Sequence, residues 1–164
     1  MKNLYIDFDG VILDTIDVTY NLMKELKIDK TNLEEVHNFY ASLDWKELLS
    51  TTPEINDSIF CIQKIVDSKT FDVAILTQVN SLNEMIEKVH FIKKNLENIT
   101  IIFVPRTISK TKMVNANDAI LIDDYTGNLK EWEKADGIGI LFSKDLKDKG
   151  FKVINRLDQI LEVL

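Results

Sequence analysis

The sequence predicts an α/β fold in which a parallel sheet is covered by helices on both faces. Short apolar runs recur along the 164 residues, and between most of them apolar residues follow the three- and four-residue spacing of a helix. Strands that alternate with helices pair in parallel and are buried on both faces. The length and the 45% hydrophobic content are enough for one compact domain with its own core.

Five apolar runs are predicted to be the buried strands. They are expected at residues 4–8, 73–76, 99–104, 119–122 and 138–142. Apolar residues at helical offsets predict one helix between the second and third strands and another at the C-terminus, with a buried stripe in each. The stripes are Leu82, Met85, Ile86 and Val89, and Leu157, Ile160, Leu161 and Leu164. Another helix is predicted around Leu129 and Trp132, with Asn128 and Glu131 as its capping box.

The interval between the first two predicted strands is longer than a parallel crossover requires. It holds about sixty residues, whereas a crossover needs only a dozen or more. Three helices are expected in it, the second capped by Thr31 and Glu34. Their stripes are Ile16, Tyr20 and Met23; Leu33, Val36, Phe39 and Tyr40; and Ile55, Ile59, Ile62 and Val66. We therefore predict a small helical insertion at residues 15–69, with residues 1–14 and 70–164 forming the α/β core.

Composition excludes several classes of function. The net charge of −7 disfavours non-specific binding to nucleic acid or to an anionic membrane. The single cysteine, Cys61, can form neither an internal disulfide nor a multi-cysteine zinc site. The N-terminal residues have no apolar signal core, because Asp7 interrupts the first apolar run. We therefore expect a cytoplasmic protein.

Two predicted strands end in pairs of carboxylates. Asp7 and Asp9 close the first strand, and Asp123 and Asp124 close the fourth. Ligands of an open parallel sheet bind beyond the carboxyl ends of its strands, so these four side chains are expected to meet. Four crowded negative charges repel one another, and a hard divalent cation such as Mg²⁺ relieves that repulsion. Any one of these aspartates could instead cap a helix or a turn, but two pairs at two strand ends favour a metal site.

Phosphate-binding groups are expected at the same edge. Thr77 follows the second strand and precedes a helix, where its hydroxyl and a backbone N–H can contact an anion. Lys110 and Lys112 lie between the third and fourth strands, and either could pair with a phosphate and a carboxylate. A helix N-cap and a surface lysine are the ordinary alternatives for these residues. The order of the four elements along the chain (the first aspartate pair, the threonine, the lysine and the second aspartate pair) favours the phosphate-binding role.

That order resembles the haloacid dehalogenase-like (HAD) superfamily of phosphohydrolases. The segment at residues 7–15, with the sequence DFDGVILDT, is similar to the first motif of the superfamily. Thr77 resembles the second motif, Lys112 (or Lys110) the third, and Asp123 with Asp124 the fourth. The spacing of Lys112, 11 positions before Asp123, is most similar to the 5′(3′)-deoxyribonucleotidase branch, although Gln78 stands where that branch usually has serine. The resemblance implies a three-layer, Rossmann-like fold with a small helical cap inserted after the first strand.

The resemblance also implies a mechanism. Asp7 is expected to attack phosphorus and form an aspartyl-phosphate, and Asp9 to act as the general acid and then as the base. Mg²⁺ is expected to be held by Asp7, the backbone carbonyl of Asp9, Asp123 and Asp124. Phosphate is expected to contact Thr77, Lys112 and the backbone at Gly10, where a side chain could block the approach. The expected activity is Mg²⁺-dependent hydrolysis of a small phosphomonoester, including the case of a 5′-nucleotide.

Two other functions are compatible with the same residues. A receiver-like signalling module also uses aspartates, a threonine and a lysine, but the aspartate that accepts its phosphate ends a middle strand. In this sequence the second and third predicted strands are followed by Thr77 and Pro105 and not by an aspartate, which disfavours a receiver. A non-catalytic phosphate-binding module would keep the same site. The aromatic residues Phe39, Tyr40 and Trp45 could stack on a nucleobase, although their spacing favours a core role. The expected partner is a small phosphorylated substrate, with no nucleic acid polymer or membrane, and the chain is expected to be a monomer or a homodimer.

Overall fold

The computed structural model describes residues 1–163 and confirms the α/β fold. The strands are β1 (Lys2–Ile6), β2 (Phe71–Val79), β3 (Thr100–Pro105), β4 (Ile120–Asp123), β5 (Ile138–Phe142) and β6 (Lys152–Ile154). The helices are α1 (Thr15–Glu25), α2 (Leu33–Ser42), α3 (Trp45–Thr51), α4 (Ser58–Ser68), α5 (Leu82–Asn95), α6 (Thr126–Lys134) and α7 (Ile160–Val163). Two short 3₁₀ turns lie at Lys110–Lys112 and Leu157–Gln159.

All six strands form one parallel sheet in the order β3-β2-β1-β4-β5-β6. β1 pairs with β2 on one side and with β4 on the other, so the chain reverses its direction of winding between β1 and β4. Such a switch point leaves a crevice at the carboxyl ends of the strands, where open sheets bind their ligands. The topology therefore places the ends of β1, β2 and β4 side by side.

All five predicted strands are present, with ends that differ by a few residues. Strand β6 was not predicted, because a three-residue edge strand with a single buried side chain has little hydrophobic pattern. Among residues 1–163, no helix has both the length and the apolar composition to cross a bilayer.

The predicted buried stripe of α5 is wrong. Leu82 and Ile86 are 66% and 40% exposed, whereas Glu84, Lys88 and Ile92 face the protein interior. These three residues also follow the i, i+4, i+8 spacing of one helix face. Polar residues replace apolar ones on the buried face because Lys88 and Glu84 pair with each other and with groups at the end of the sheet.

The interval between β1 and β2 is helical, as predicted, but it holds four helices. Helix α3, which was not predicted, packs against α5 and carries the fully buried Trp45. The cap of α2 is Asn32 and not Thr31, since the Asn32 side chain accepts hydrogen bonds from the backbone N–H groups of Glu34 and Glu35. The division into an insertion and a core stays a prediction, because residues of α3 and α4 share one hydrophobic cluster with β1, β4 and β5.

Two predicted helix boundaries also change. Helix α6 begins at Thr126 with Tyr125 at its N-cap, so the capping box of Asn128 and Glu131 is wrong. Leu129 and Trp132 are fully buried on α6, as predicted. The C-terminal helical segment is a 3₁₀ turn followed by α7, and Leu164 of its predicted stripe lies outside the described residues.

Candidate active site

Three of the four predicted carboxylates converge at the switch point of the sheet. Asp7 directly follows β1, and its backbone N–H donates to the Ile122 carbonyl at 2.9 Å, which continues the pairing of β1 with β4. Asp123 ends β4 and Asp124 follows it. One carboxylate oxygen from each of the three lies within 4.8 Å of the others. Parallel pairing of two strands thus brings together residues that are more than a hundred positions apart.

A buried lysine bridges two of these carboxylates. The Lys110 ammonium lies 2.8 Å from Asp7 Oδ1 and 2.6 Å from Asp123 Oδ2. The 3₁₀ turn that carries Lys110 also carries Lys112, but Lys112 is exposed and, among residues 1–163, forms no ion pair. Our preference for Lys112 from its spacing is therefore corrected, since residues two apart on a tight turn point in different directions. Of the two candidate lysines, Lys110 is the one that pairs with carboxylates at the strand ends.

Burial and mutual repulsion make the carboxylates hard to ionise together. Burial raises the pKa of Asp7 to about 7, with Asp123 and Asp9 adding repulsion and Lys110 opposing it. Burial likewise raises the pKa of Asp124 to about 8, with further repulsion from Asp123 and Asp7. The pKa of Lys110 is raised because the attraction of Asp123 and Asp7 outweighs the loss of solvation on burial. One lysine therefore cannot balance the three carboxylates when all of them are ionised.

Asp123 is held by two further donors. Its Oδ1 accepts the backbone N–H of Tyr125 at 2.9 Å, and its Oδ2 accepts the Asn128 side-chain amide at 2.9 Å. Asn128 was predicted to belong to a capping box, so its contact with Asp123 was not expected. Because Asn128 lies within the first turn of α6, the helix start fixes the orientation of the fully buried Asp123 carboxylate.

The side chain of Asp9 points to a different set of partners. Its Oδ1 accepts the Thr15 hydroxyl at 2.7 Å, and its Oδ2 accepts the Lys88 ammonium at 2.6 Å. The carboxylate of Asp9 thus stands apart from the three-carboxylate cluster, as expected for a residue whose backbone carbonyl was the predicted ligand. Asp9 is partly exposed, which leaves its carboxylate accessible from outside.

Lys88, which the sequence did not single out, also contacts residues of the candidate site. Its fully buried ammonium lies 2.8 Å from Glu84 Oε1 and 3.2 Å from the Thr77 hydroxyl, in addition to its contact with Asp9. Burial lowers the pKa of Lys88, but Asp9 and Glu84 more than offset this, so the net shift is upward. The signal available in the sequence was a Glu–Lys pair at i, i+4 on α5, which is common on solvated helix surfaces.

Gly10 is required by its backbone and by a close neighbour. Its φ of +72° lies in the left-handed region, and a Cβ there would collide with the Asp124 carboxylate and approach Ile16. We expected glycine at this position to admit a phosphate, whereas the structure shows that its absent side chain admits Asp124. Its predicted backbone contact with phosphate stays a prediction.

Thr77 lies at the buried end of the site. Its side chain is fully buried within β2, and its hydroxyl lies 3.2 Å from the Lys88 ammonium. The next residue, Gln78, accepts a hydrogen bond from Arg106 at 3.0 Å and donates to the Ile108 carbonyl at 2.9 Å. Gln78 therefore ties the end of β2 to the segment that follows β3.

Two of the three aromatic residues considered for base stacking belong to the core. Phe39 and Trp45 are buried, so neither ring is available to stack on a base. Tyr40 is half-buried, and its hydroxyl lies 3.3 Å from that of Thr19. Of the three aromatic residues considered for stacking, only Tyr40 retains an accessible edge.

The residues present fit a hard divalent cation. Asp7, Asp123 and Asp124 supply carboxylate oxygens, the ligand type that Mg²⁺ prefers, at a spacing that one ion can bridge. A cation would also offset the burial and the mutual repulsion that together raise the pKa values of Asp7 and Asp124.

Solved structures with the same architecture identify the fold. A HAD-superfamily hydrolase of subfamily IA from Geobacter sulfurreducens superposes with a TM-score of 0.63 at 11% identity, over 100% of both chains. A hydrolase from Pseudomonas syringae gives 0.64 at 11% identity, over 99% of this chain and 98% of its own.

The fold is that of the HAD-superfamily hydrolases. A D,D-heptose 1,7-bisphosphate phosphatase from B. bronchiseptica, complexed with magnesium and phosphate, shares it with a TM-score of 0.56 at 12% identity, over 99% of this chain and 97% of its own. This result confirms the predicted Rossmann-like architecture. No protein-family model matches the sequence, and no curated protein matches it. The deoxyribonucleotidase branch therefore stays a prediction.

Proposed function

We propose that this protein is a Mg²⁺-dependent phosphatase that hydrolyses a small phosphomonoester through an aspartyl-phosphate. The observation that carries the proposal is the position of Asp7, whose carboxylate lies among Lys110, Asp123 and Asp124 at the switch point of a HAD-type fold. Magnesium and phosphate together in a phosphatase that shares the fold support it.

In the first step, an Asp7 oxygen attacks phosphorus in line with the ester oxygen. The new bond joins Asp7 to phosphorus, the ester P–O bond breaks, and the leaving oxygen takes a proton from Asp9. Thr15 can support both protonation states of Asp9, because a hydroxyl can donate to a carboxylate or accept from a carboxylic acid. The partly exposed position of Asp9 allows it to reach the leaving group.

In the second step, water attacks the phosphorus of the aspartyl-phosphate. Asp9, now a carboxylate, accepts the proton of this water, and the bond between Asp7 and phosphorus breaks to release phosphate. The same carboxyl group thus acts as acid and then as base. This assignment agrees with its separation from the three carboxylates that would face a cation.

Asp7, Asp123 and Asp124 would hold Mg²⁺, with the Asp9 backbone carbonyl as the further ligand that the family resemblance implies. When bound, the ion would neutralise charge on the carboxylates and on the transferring phosphoryl group. Lys110 would add a second positive charge beside Asp7, in the role that we first assigned to Lys112. The Thr77 hydroxyl would contact a phosphate oxygen only after it rearranges, because it is fully buried here.

The experiment is an assay of p-nitrophenyl phosphate hydrolysis with and without Mg²⁺. The wild type should release nitrophenolate only with the ion, and Asp7→Asn should reduce turnover to background. Asp118→Asn is a matched control, since Asp118 is an exposed aspartate that pairs with Lys2 at the opposite end of β1. Equal turnover by the wild type and Asp7→Asn would overturn the proposal. A screen of phosphorylated metabolites, including nucleoside monophosphates of both sugars, would then identify the substrate.

A further inference from the structure

The Lys88 ammonium lies where three segments of the chain meet. Its Nζ lies 2.6 Å from Asp9 Oδ2, 2.8 Å from Glu84 Oε1, 3.2 Å from Thr77 Oγ1 and 3.3 Å from the Gln78 carbonyl. These acceptors belong to the loop after β1, to α5 and to β2. The side chain has no exposed surface.

Four acceptors around one ammonium leave it no proton for another ligand. Lysine has three N–H donors, and the two carboxylates and the end of β2 already accept them. Lys88 is also shielded by rings, with its Nζ 5.0 Å from the centre of Phe8 and 5.5 Å from that of Trp45. A phosphate group therefore cannot reach Lys88, so any effect on the reaction must pass through the residues that it contacts.

Glu84, one of the two carboxylate partners of Lys88, accepts hydrogen bonds through both of its oxygens. Glu84 is buried, its Oε1 accepts Lys88, and its Oε2 accepts the backbone N–H of Asn80 at 2.7 Å and the Asn80 side-chain amide at 3.1 Å. A second anchor holds Asp9 from the opposite side, through Thr15. The Asp9 carboxylate is thus clamped between a neutral hydroxyl and a charged ammonium that cannot move freely.

We infer that Lys88, braced by Glu84, is a positioning residue that orients the Asp9 carboxyl group, which gives a proton to the leaving group as the acid and takes one from the attacking water as the carboxylate. The inference rests on the proposed phosphatase function and extends it to a Glu–Lys pair on α5. A buried ion pair with only a structural role would need no contact with a partly exposed carboxylate in the catalytic loop. Here, the shorter of the two ion pairs of Lys88 is the one to Asp9.

The test separates the two chemical steps. Nitrophenolate leaves as a stable anion and needs no proton, so the first step with p-nitrophenyl phosphate does not depend on Asp9, whereas attack by water does. In Lys88→Met, a rapid-mixing experiment with Mg²⁺ should show a burst of about one nitrophenolate per protein, followed by turnover about 10²-fold slower than wild type. The value of kcat/KM for p-nitrophenyl phosphate, which reports the first step alone, should stay within about threefold of wild type, so the KM should fall together with kcat. An alkyl phosphate should show no burst, because its leaving group needs the proton of a well-placed Asp9.

A second variant protects the test against misfolding. Lys88→Met leaves Glu84 buried without its partner, whereas Lys88→Met combined with Glu84→Gln removes both charges and keeps the shapes of the side chains. The double variant should fold with the far-ultraviolet circular dichroism of the wild type and should show the same burst and slow turnover. Lys94→Met is the matched control, because Lys94 is exposed on the same helix, and its kinetics should equal those of the wild type.

The outcomes distinguish this inference from the proposed function. Turnover within threefold of wild type in the folded double variant would overturn the positioning role while leaving the phosphatase proposal intact. Loss of the burst together with turnover, as in Asp7→Asn, would also overturn it, because Lys88 would then support the whole site and not Asp9. A wild type without any nitrophenolate release would overturn the phosphatase proposal and this inference with it.

Discussion

Replacing Lys110 should destabilise the protein far more than replacing Lys112, although the two residues share one turn. Lys110→Met removes ion pairs of 2.8 Å to Asp7 and 2.6 Å to Asp123, both in the protein interior. Removing one partner of a buried ion pair typically costs about 3–5 kcal/mol, because the remaining charge is left without compensation. Lys112 is exposed, and a substitution at such a position usually changes stability by less than about 0.5 kcal/mol.

Thermal and urea unfolding of the two variants measure this difference directly. For a chain of this size, each kcal/mol shifts the Tm by about 2–4 °C, so Lys110→Met should unfold about 6–20 °C below the wild type at pH 7. The loss should shrink near pH 5, because Asp7, whose pKa is about 7, is then protonated and no longer needs a counter-charge. Added Mg²⁺ should raise the Tm of Lys110→Met more than that of the wild type, since the ion replaces the missing positive charge.

The result that would refute this reasoning is a Lys110→Met protein with the stability of Lys112→Met. It would mean that Lys110 does not lie between the two carboxylates. A larger loss in Lys112→Met would restore the assignment that its spacing from Asp123 favoured. Because both variants make the same chemical change two residues apart, general effects of losing a lysine cancel in the comparison.

Three further predictions concern pH, backbone and packing. Folded Asp7 holds a proton up to a pH of about 7, whereas its ordinary pKa is 3.8, so the folded state binds more protons than the unfolded chain across this window. Without Mg²⁺, the free energy of unfolding should therefore fall as the pH rises from about 4 to about 8, by up to about 4 kcal/mol, and a rise measured by urea titration would contradict this. Gly10→Ala should lose Mg²⁺-dependent thermal stabilisation, because its Cβ displaces Asp124 and its φ of +72° is strained, and an unchanged Mg²⁺ shift would show that Asp124 is not a ligand. Trp45→Ala should cost about 3–5 kcal/mol in urea unfolding, since the fully buried ring joins α3 to the core, and a cost below about 1 kcal/mol would show that α3 is not packed there.

Much of the site could be predicted because its signal is local. Asp7 and Asp123 each follow a short apolar run, and parallel strands present their carboxyl ends at one edge of a sheet whatever the details of packing. The choice between Lys110 and Lys112 could not be made in this way, because it depends on which side of a 3₁₀ turn faces the sheet. The contact of Asn128 with Asp123 could not be predicted for a similar reason, because the residue at which α6 starts decides whether the Asn128 amide caps the helix or contacts Asp123.

The sequence alone determined the parallel α/β architecture and the presence of carboxylates at two strand ends, because both follow from hydrophobic period and chain order. Tertiary structure decided which face of α5 is buried. An apolar stripe at Leu82 and Ile86 looks like a core face by its period, yet it lies outside, and the interior takes Glu84 and Lys88 instead. A buried charge is stable only when its partners are in place, and the partner Asp9 lies 79 positions away in the chain. No local pattern in the sequence indicates this long-range pairing, so only the folded chain could show that a lysine of α5 contacts Asp9.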